Sequence, residues 1–379
     1  MKKIALIGST GSIGRQVLNV VRRHKDKFKI VSLAGGNNAR LFLEQVKEFN
    51  PKVATLIENP NTDLNQFNGT EFFFGEDAFK NAITLDADVV VVSLVGFKGI
   101  IAVLDAVEKG KNIALANKES LVVGGALVME RAKQKGVSIV PIDSEHSAVW
   151  QALGFNYDTP FSKIILTASG GAFRDKTKEE LSRMTAKDAL CHPTWNMGAK
   201  ITIDCATLVN KAFEVIEAKW LYKTTFDKID VIIHRESIIH SMVEFIDGAV
   251  IAQLSYPTME LPISMALTYP DRIKQNLESL DFAKLKSLSF ESVDHNRFPC
   301  FNLVVNAGKM GGGYPAVANG ANEQAVEYFL KGKIPYDGIY QCIHGALNSY
   351  KGTKGDTFEE LTQANDFGVR FVKNKFGEI

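Results

Sequence analysis

The stretch that decides the fold is Lys3-Ile4-Ala5-Leu6-Ile7 followed by Gly8-Ser9-Thr10-Gly11-Ser12-Ile13-Gly14. An apolar run that ends in a G-x-x-G-x-x-G spacing predicts a buried strand, a tight glycine turn and the start of a helix. That helix continues with Val17, Val20 and Val21 along one apolar face. Because the glycines permit close backbone approach and the helix N-terminus favours a pyrophosphate, the stretch predicts a dinucleotide-binding unit. A plain strand-to-helix turn is the alternative.

Similar apolar runs recur through the first part of the chain and alternate with helical patterns, as in a parallel sheet with crossover helices. The predicted strands are Lys3–Ile7, Lys29–Leu33, Val53–Ile57, Asp88–Ser93, Asn112–Ala116 and Val137–Ile142. Their β-branched character suits burial on both faces. The sequence therefore predicts an α/β protein with an N-terminal Rossmann-like parallel sheet.

The pattern changes beyond residue 145. A strand at Lys163–Thr167 precedes a long polar loop at about 169–199, which predicts a functional lid. The strands Met242–Ile246 and Ala249–Leu254 flank Asp247-Gly248, a strong hairpin signal. Helices are predicted at Thr207–Leu221, Ala316–Leu330, Tyr336–Tyr350 and Phe358–Lys373. We therefore expect a nucleotide-binding domain at 1–145, an α+β domain at 146–270, a linker at 271–298 and a C-terminal helical domain at 299–379.

Composition narrows the class of partner. The chain of 379 residues carries 44 Lys and Arg against 43 Asp and Glu, a net charge of +1. This balance gives no electrostatic basis for binding nucleic acid or an anionic membrane. The four cysteines have no metal-binding spacing, which favours a reducing, cytoplasmic location. Without a transit-like leader, bacterial cytoplasm is expected rather than a plastid.

The second predicted strand ends in Ala34-Gly35-Gly36-Asn37-Asn38. An NAD site usually places an acidic residue here to hold the ribose 2′-hydroxyl. No acid is present, so a 2′-phosphate would meet no repulsion and NADP is favoured. Arg15 and Arg40 are the nearby cations.

The acidic triplet Asp143-Ser144-Glu145 follows the last strand of the predicted sheet. Ligands bind at the carboxyl ends of such strands, and two neighbouring carboxylates repel each other unless a cation lies between them. The triplet predicts a divalent metal, although a helix start that favours acids is the alternative. Glu214 is the best third carboxylate, because helical spacing places it on one face with Asn210 and Lys211, and Glu217 is a competitor on the same face. Three carboxylates suit Mg²⁺ or Mn²⁺.

Further polar residues stand beside these motifs. Lys118, in Ala116-Asn117-Lys118-Glu119, could meet a substrate oxygen while its neighbours orient nicotinamide or ribose; a capped helix start with a solvated Lys–Glu pair is the alternative. Ser169, His192, Asn210 and Lys211 are donors that could hold a phosphate. Trp195 could close over a ligand, although an isolated tryptophan is more often part of a core.

In combination these motifs resemble the 1-deoxy-D-xylulose 5-phosphate reductoisomerase family over nearly the whole chain. The resemblance is carried by Gly8–Gly14, Ala116–Ser120, Pro141–His146, Ser169–Gly171, His192–Gly198, Asn210–Glu214 and Asn319–Glu323. It implies NADPH- and metal-dependent rearrangement and reduction of 1-deoxy-D-xylulose 5-phosphate to 2-C-methyl-D-erythritol 4-phosphate in non-mevalonate isoprenoid biosynthesis. It also implies a small phosphorylated sugar as substrate, a homodimer formed by the central catalytic domain, and Mg²⁺ or Mn²⁺ with Co²⁺ as a third option.

The resemblance also implies a role for individual residues. The implied metal ligands are Asp143, Glu145 and Glu214. The implied catalytic residues are Lys118, Glu145, His192 and Lys211. The implied substrate contacts are Lys118, Ser144, Glu145, Ser169, His192, Cys205, Asn210, Lys211 and Glu214. The implied NADPH contacts are Thr10, Gly11, Ser12, Ile13, Gly36, Asn37, Asn38, Asn117, Glu119 and Gly198, and Trp195 would belong to the lid.

Two positions depart from the family pattern. Cys205 stands where related enzymes carry a phosphate-binding serine, and a thiol is a weaker donor than a hydroxyl. Asn37 stands where a lysine is often found, which removes one contact to the 2′-phosphate. Two other functions fit parts of the pattern: a metal-independent NADP dehydrogenase with two domains, and a non-catalytic NADP-sensing protein.

Overall fold

The computed structural model describes residues 1–377, and its contacts divide the chain into two compact units. The first unit consists of Met1–Ser120, Val128–Ser147 and Thr258–Gln275. The second consists of Leu121–Leu127, Ala148–Pro257 and the chain from Asn276 onwards. The chain therefore returns to the first unit after it has built much of the second.

The elements of the described residues are as follows, in chain order. The strands are β1 Lys2–Ile7, β2 Phe28–Ala34, β3 Val53–Leu56, β4 Glu71–Phe74, β5 Val89–Val92, β6 Asn112–Leu115, β7 Ile139–Pro141, β8 Phe161–Ala168, β9 Ile229–Ile233, β10 Ile239–Phe245, β11 Val250–Leu254 and β12 Glu291–Ser292. The helices are α1 Ser12–Arg23, α2 Ala39–Phe49, α3 Phe79–Ala82, α4 Gly99–Glu108, α5 Glu119–Lys135, α6 Ser144–Ala152, α7 Lys178–Leu181, α8 Ala186–Ala189, α9 Ala199–Ala206, α10 Val209–Leu221, α11 Glu260–Thr268, α12 Phe282–Leu285, α13 Pro299–Met310, α14 Tyr314–Leu330, α15 Tyr336–Ser349 and α16 Phe358–Phe376.

The first unit is built on a seven-stranded sheet in the order β4-β3-β2-β1-β5-β6-β7, and every neighbouring pair is parallel. The predicted parallel sheet is therefore confirmed. The direction of strand addition reverses between β1 and β5, and ligands bind at the carboxyl ends of strands beside such a reversal. The residues that follow β1, β5, β6 and β7 all lie along this edge.

Apolar side chains attach the helices of the first unit to its sheet. Val17, Val20 and Val21 of α1 are buried in the same core as Ile4 and Leu6 of β1. This is the face that the 3.6-residue spacing predicts. Ile263 and Leu267 of α11 join that core, so the returning segment is part of the first unit.

One strand of this sheet escaped the sequence analysis. Strand β4, with the sequence Glu71-Phe72-Phe73-Phe74, lies at the edge of the sheet, where its side chains are half-buried or exposed. An edge strand needs no continuous buried run, and it is therefore hard to distinguish from a polar loop.

The second unit contains a mixed sheet in the order β11-β10-β8-β9-β12. Strands β8 and β9 are parallel, whereas the other pairs are antiparallel. The hairpin predicted at Asp247-Gly248 joins β10 to β11. Helices α13 to α16 form the helical part of this unit, so the predicted α/β class with a central α+β region and a helical C-terminus is confirmed.

Three segments differ in detail from the expected elements. The polar loop at 169–199 contains the short helices α7 and α8, which begin at capping boxes formed by Thr177 and Thr185. The segment at 271–298 contributes α12 and the edge strand β12, which pairs with β9. Helix α10 begins at Val209 rather than Thr207, because Leu208 adopts a positive φ of 60° and separates it from α9. Within residues 1–377, none of the helices is both long and apolar enough to cross a membrane.

Candidate active site and metal centre

The glycine turn after β1 presents backbone N–H groups at the start of α1. The carbonyl groups of Ile7 and Gly8 accept hydrogen bonds from Ser93 Oγ, and that of Ser9 accepts one from Gln45 Nε2 at 3.0 Å. With its carbonyl groups held inward, the turn is suited to an anion. No side chain of the described residues caps α1 at Gly11, which leaves its first N–H groups to a ligand.

Gly14 makes this turn sterically possible. A Cβ atom at Gly14 would lie 2.2 Å from the carbonyl oxygen of Gly8 and 2.7 Å from Cα of Ser9. Only glycine allows the helix to approach the turn this closely. The third glycine of the motif therefore packs the helix against the turn.

The predicted ribose contacts lie in the segment after β2. Gly36 is half-buried, whereas Asn37 and Asn38 are exposed. The side chain of Asn38 accepts a hydrogen bond from the backbone N–H of Leu41 at 3.1 Å and so caps α2. Asn38 therefore fixes the start of a helix in addition to its predicted contact with the cofactor.

Asn117 is buried, and its amide organises the turn before α5. Its Nδ2 donates to the carbonyl groups of Leu94 and Gly96 and to Glu119 Oε2, all at 3.0 Å. Its Oδ1 accepts from the backbone N–H and the hydroxyl of Ser120. Asn117 thus ties the turn after β5 to the turn after β6. The hydrogen bond from Ser120 N–H to Asn117 caps the helix start as the alternative held, but its solvated Lys–Glu pair was wrong, because Lys118 and Glu119 are both buried and bind other partners.

Lys118 and the acidic triplet meet at the end of β7. Lys118 Nζ lies 2.6 Å from Asp143 Oδ2, and both side chains are largely buried. Asp143 Oδ1 accepts the backbone N–H groups of Glu145 at 3.0 Å and His146 at 3.2 Å. Ser144 Oγ donates to Glu145 Oε2 at 2.6 Å. Asp143 Oδ1 therefore caps α6, as the alternative interpretation held, while Asp143 Oδ2 pairs with the ammonium group of Lys118.

Helix α10 carries a buried carboxylate between two donors. Glu214 is 1% exposed. It accepts a hydrogen bond from Asn210 Nδ2 at 2.6 Å and forms an ion pair with Lys211, which is also buried. These residues share one face of the helix at the i, i+3 and i, i+4 positions, as predicted from their spacing. A buried carboxylate needs such partners to remain charged.

Among residues 1–377, one group of three acidic residues is suited to a metal ion. Asp143, Glu145 and Glu214 each offer a carboxylate oxygen, and these oxygens lie within 4.8 Å of one another. The group contains Glu214 rather than its competitor Glu217. Three carboxylates are a donor set for a hard divalent cation such as Mg²⁺ or Mn²⁺, so the residues present fit the predicted metal.

The segment after β8 is held by His192. Its Nδ1 accepts the backbone N–H groups of Thr194 at 3.2 Å and Trp195 at 3.0 Å. Nε2 therefore carries the proton of the neutral ring and donates to Ser169 Oγ at 3.1 Å. Burial, followed by the positive charge of Arg174, lowers the pKa of His192 to about 4. The ring is thus a neutral donor at physiological pH.

Arg174 is a site residue that the sequence analysis missed. Its guanidinium donates to the carbonyl groups of Ser169 at 3.2 Å and Arg235 at 3.1 Å, and so it fixes the backbone that carries Ser169. An arginine in a polar loop gives no sequence signal for this role, because its partners are backbone groups.

The remaining predicted residues lie on or beside α9. Gly198 is the N-cap residue of this helix, and Cys205 is a half-buried cysteine in its last turn. Trp195 lies 6.2 Å from the ring of His240, which in turn contacts Ser255 Oγ through Nε2 at 2.9 Å. Trp195 therefore lies half-buried against a residue of β10 rather than in the centre of a core.

Comparison with known proteins identifies the family. The sequence matches the profile described as 1-deoxy-D-xylulose 5-phosphate reductoisomerase over residues 4–125, the profile of its C-terminal domain over 139–222, and the DXP reductoisomerase C-terminal domain over 254–369. The chain belongs to the 1-deoxy-D-xylulose 5-phosphate reductoisomerase family. The 1-deoxy-D-xylulose 5-phosphate reductoisomerase of Pelotomaculum thermopropionicum is 46% identical over 386 residues, which cover 99% of this chain and all of that protein. That of Listeria monocytogenes is 46% identical over 98% of this chain and 99% of its own length.

Solved structures of the reductoisomerase family have the same fold. The enzyme from Zymomonas mobilis in complex with NADPH matches with a TM-score of 0.91 at 35% identity, and the match covers all of both chains. A DOX-P reductoisomerase in complex with NADPH, fosmidomycin and magnesium gives the same TM-score, identity and coverage. The resemblance inferred from the motifs is therefore confirmed.

Proposed function

We propose that this chain catalyses the NADPH- and divalent-metal-dependent conversion of 1-deoxy-D-xylulose 5-phosphate to 2-C-methyl-D-erythritol 4-phosphate in isoprenoid biosynthesis. The observation that carries the proposal is the group formed by Asp143, Glu145 and Glu214, in a chain that belongs to the reductoisomerase family over its full length. Relatives of known structure bind NADPH and magnesium. A skeletal rearrangement needs the cation, whereas hydride transfer alone does not.

We assign NADPH to the carboxyl edge of the seven-stranded sheet. Thr10, Gly11, Ser12 and Ile13 would receive the pyrophosphate on the backbone N–H groups of the turn and of α1. Gly36, Asn37 and Asn38 would contact the 2′-phosphoribose, where the absence of an acid favours NADPH. Asn117, Glu119 and Gly198 would contact the remainder of the cofactor. Bound there, NADPH supplies the hydride.

We assign the cation to Asp143, Glu145 and Glu214. A bound Mg²⁺ or Mn²⁺ polarises a carbonyl oxygen and an adjacent hydroxyl oxygen. Lys118, which forms an ion pair with Asp143, holds a positive charge where a substrate oxygen becomes negative. Ser144 Oγ lies beside Glu145 and is placed to meet a substrate hydroxyl.

We assign the substrate phosphate to the second unit. His192 offers the neutral Nε2–H group, and Ser169 Oγ lies within hydrogen-bond distance of it. Asn210 and Lys211 occupy the first turn of α10, where the helix N-terminus favours an anion. Cys205 contributes a weak thiol donor in place of the serine of related enzymes.

We also propose a cytoplasmic homodimer. The four cysteines are thiols rather than disulfides, as in proteins of reducing compartments. Strand β11 lies at the edge of its sheet and exposes Val250 and Ile251, with Ile246 exposed in the preceding turn. An exposed apolar edge is a surface on which a second copy can pair. Sedimentation of Ile251→Lys should give a monomer where the natural chain gives a dimer, and a monomeric natural chain would contradict the proposal.

The proposal is tested by following NADPH oxidation with 1-deoxy-D-xylulose 5-phosphate in the presence of Mg²⁺, and then with a chelator. We expect turnover to 2-C-methyl-D-erythritol 4-phosphate with the metal and its loss with the chelator. Full turnover in the chelator would favour the metal-independent dehydrogenase. NADPH binding without any turnover would favour the sensing protein.

A further inference from the structure

The C-terminal end of α9 is held on both sides of Cys205 by residues of the helical region. Asp204 precedes the cysteine and Ala206 follows it, and each accepts a hydrogen bond from a distant helix. The junction after Ala206 then leads to Asn210 and Lys211 through Leu208. A leucine with a φ of 60° is unfavourable, and it persists only where the surrounding structure fixes it.

Asn322 of α14 holds Asp204. Its Nδ2 donates to Asp204 Oδ1 at 2.8 Å, while Lys200 Nζ lies 2.8 Å from Oδ2 of the same carboxylate. Asp204 is 2% exposed and Asn322 is fully buried. Within the described residues, the side-chain oxygen Oδ1 of Asn322 has no hydrogen-bond partner. Asparagine has a low helix propensity, and a buried polar atom without a partner costs free energy. The hydrogen bond from Asn322 to Asp204 is the interaction that offsets these two costs.

Tyr336 of α15 holds Ala206. Its hydroxyl donates to the Ala206 carbonyl oxygen at 2.8 Å, one of the carbonyl groups at the end of α9 that have no partner within the helix. Its ring packs edge-on against Phe173 and Phe329. Burial raises the pKa of Tyr336 well above its ordinary value, so the hydroxyl stays protonated and remains a donor.

Gly171 holds the peptide between these two contacts. A Cβ atom at Gly171 would lie 2.4 Å from the carbonyl oxygen of Cys205 and 3.0 Å from Cα of Ala206. Its φ of 69° also favours glycine. The turn that carries Ser169 therefore packs directly on the backbone of Cys205. Two of the three contacts are to the backbone and the third is to the side chain of Asp204, and none of them involves the side chain at position 205.

We infer that Asn322 and Tyr336 are positioning residues for the phosphate end of the substrate, which they set by fixing the backbone around Cys205 from the helical region. The inference rests on the proposed function and extends it. It assigns phosphate recognition to the backbone around Cys205, which the helical region holds in place, rather than to the side chain at position 205. It also explains how a cysteine is accommodated at that position. The ligand class is a phosphate monoester, and inorganic phosphate is the simplest probe of it.

The test compares two tyrosine variants of the full chain. Tyr336→Phe keeps the packed ring and removes the hydroxyl. Tyr328→Phe removes a partly buried hydroxyl of the same helical region, which donates to the Gly377 carbonyl. For Tyr336→Phe we expect KM for 1-deoxy-D-xylulose 5-phosphate and Ki for inorganic phosphate to rise together by about fivefold. A change of this size corresponds to the loss of one buried hydrogen bond. We expect kcat, the Kd of NADPH and all constants of Tyr328→Phe to change by less than about twofold.

Asn322→Leu provides a second variant, and it should raise the same two constants in the same proportion. An unchanged KM and Ki in Tyr336→Phe would overturn the inference. So would an equal loss of kcat and NADPH affinity, because that pattern indicates general destabilisation. If the natural chain bound phosphate but turned over no substrate, the proposed function would fail, and calorimetric titration of the variants with phosphate would still decide the inference.

Discussion

The candidate site draws on two regions that fix their side chains in different ways. The sheet edge, which we define as the residues that follow β1, β6 and β7, is ordered by strand topology. The loop-and-helix region, defined as residues 169–221, is ordered by contacts of individual side chains. At the sheet edge Asp143 caps a helix and pairs with Lys118. In the loop-and-helix region Glu214 is buried in a helix and depends on Lys211 and Asn210.

Because of this difference, we expect the two regions to be sensitive to different kinds of substitution. The sheet edge presents backbone N–H groups, and it should be most sensitive to added atoms that move the backbone. The loop-and-helix region presents buried charges and a neutral imidazole, and it should be most sensitive to the loss of a single functional group. The variants below probe each region in turn.

The largest effect is expected for Glu214→Gln. Loss of a charged metal ligand should reduce metal-dependent turnover by about a hundredfold or more, because even supporting residues of metal sites contribute factors of that order. The Kd of NADPH, measured by fluorescence, should remain close to that of the natural chain. Glu217→Gln is the matched variant on the same helix, and equal losses in the two would argue against Glu214 as the ligand.

A smaller effect, confined to the cofactor, is expected for Gly14→Ala. The added methyl group would clash with the carbonyl of Gly8, a backbone atom that cannot move without the turn. We expect the Kd of NADPH to rise by about tenfold, which corresponds to about 1.4 kcal/mol. Unchanged affinity with a normal thermal unfolding curve would show that the turn is not fixed by close packing.

The charge state of His192 is expected to change only in acid. Its pKa is lowered from 6.5 to about 4, so the ring should stay neutral as the pH falls from 8 to 5. NMR titration of labelled imidazole nitrogens should therefore give a midpoint at about 4 for this ring. A midpoint at 6.5 would mean that the ring is solvated and that His192 does not hold the turn to Trp195.

The smallest effect is expected for Cys205→Ser. A hydroxyl is a better donor than a thiol, and the backbone around it is already fixed. We expect KM for the substrate to stay the same or to fall by no more than about threefold, within the contribution of one hydrogen bond. A large rise in KM would give the thiol a function of its own.

The sheet edge was largely predictable from sequence. The glycine spacing, the apolar strands and the rule that ligands bind at strand ends together placed Gly8–Gly14, Lys118 and Asp143 along one edge. Glu214 was also predictable, because helical spacing puts it on one face with Asn210 and Lys211. The sequence could not exclude Glu217 as the ligand, because both residues lie on the same helix and both are buried. Only their positions in space distinguish them.

Contacts between distant segments could not be predicted. Arg174, Asn322 and Tyr336 act on backbone or carboxylate groups far away in the sequence, and no local pattern reveals such partners. The contacts of Asn117 with the turn after β5 could not be predicted for the same reason, because its amide joins turns that follow two different strands. Strand β4 was missed because an edge strand lacks the buried run by which strands are recognised.

The central claim is that Asp143, Glu145 and Glu214 form one metal site, and direct binding of Mn²⁺ tests it most directly. Free Mn²⁺ is measured by electron paramagnetic resonance during titration of the natural chain, Asp143→Asn and Glu214→Gln, without substrate turnover. We predict one Mn²⁺ per natural chain and a strongly weakened site in each variant, one from either region. Undiminished binding in both variants would contradict the account.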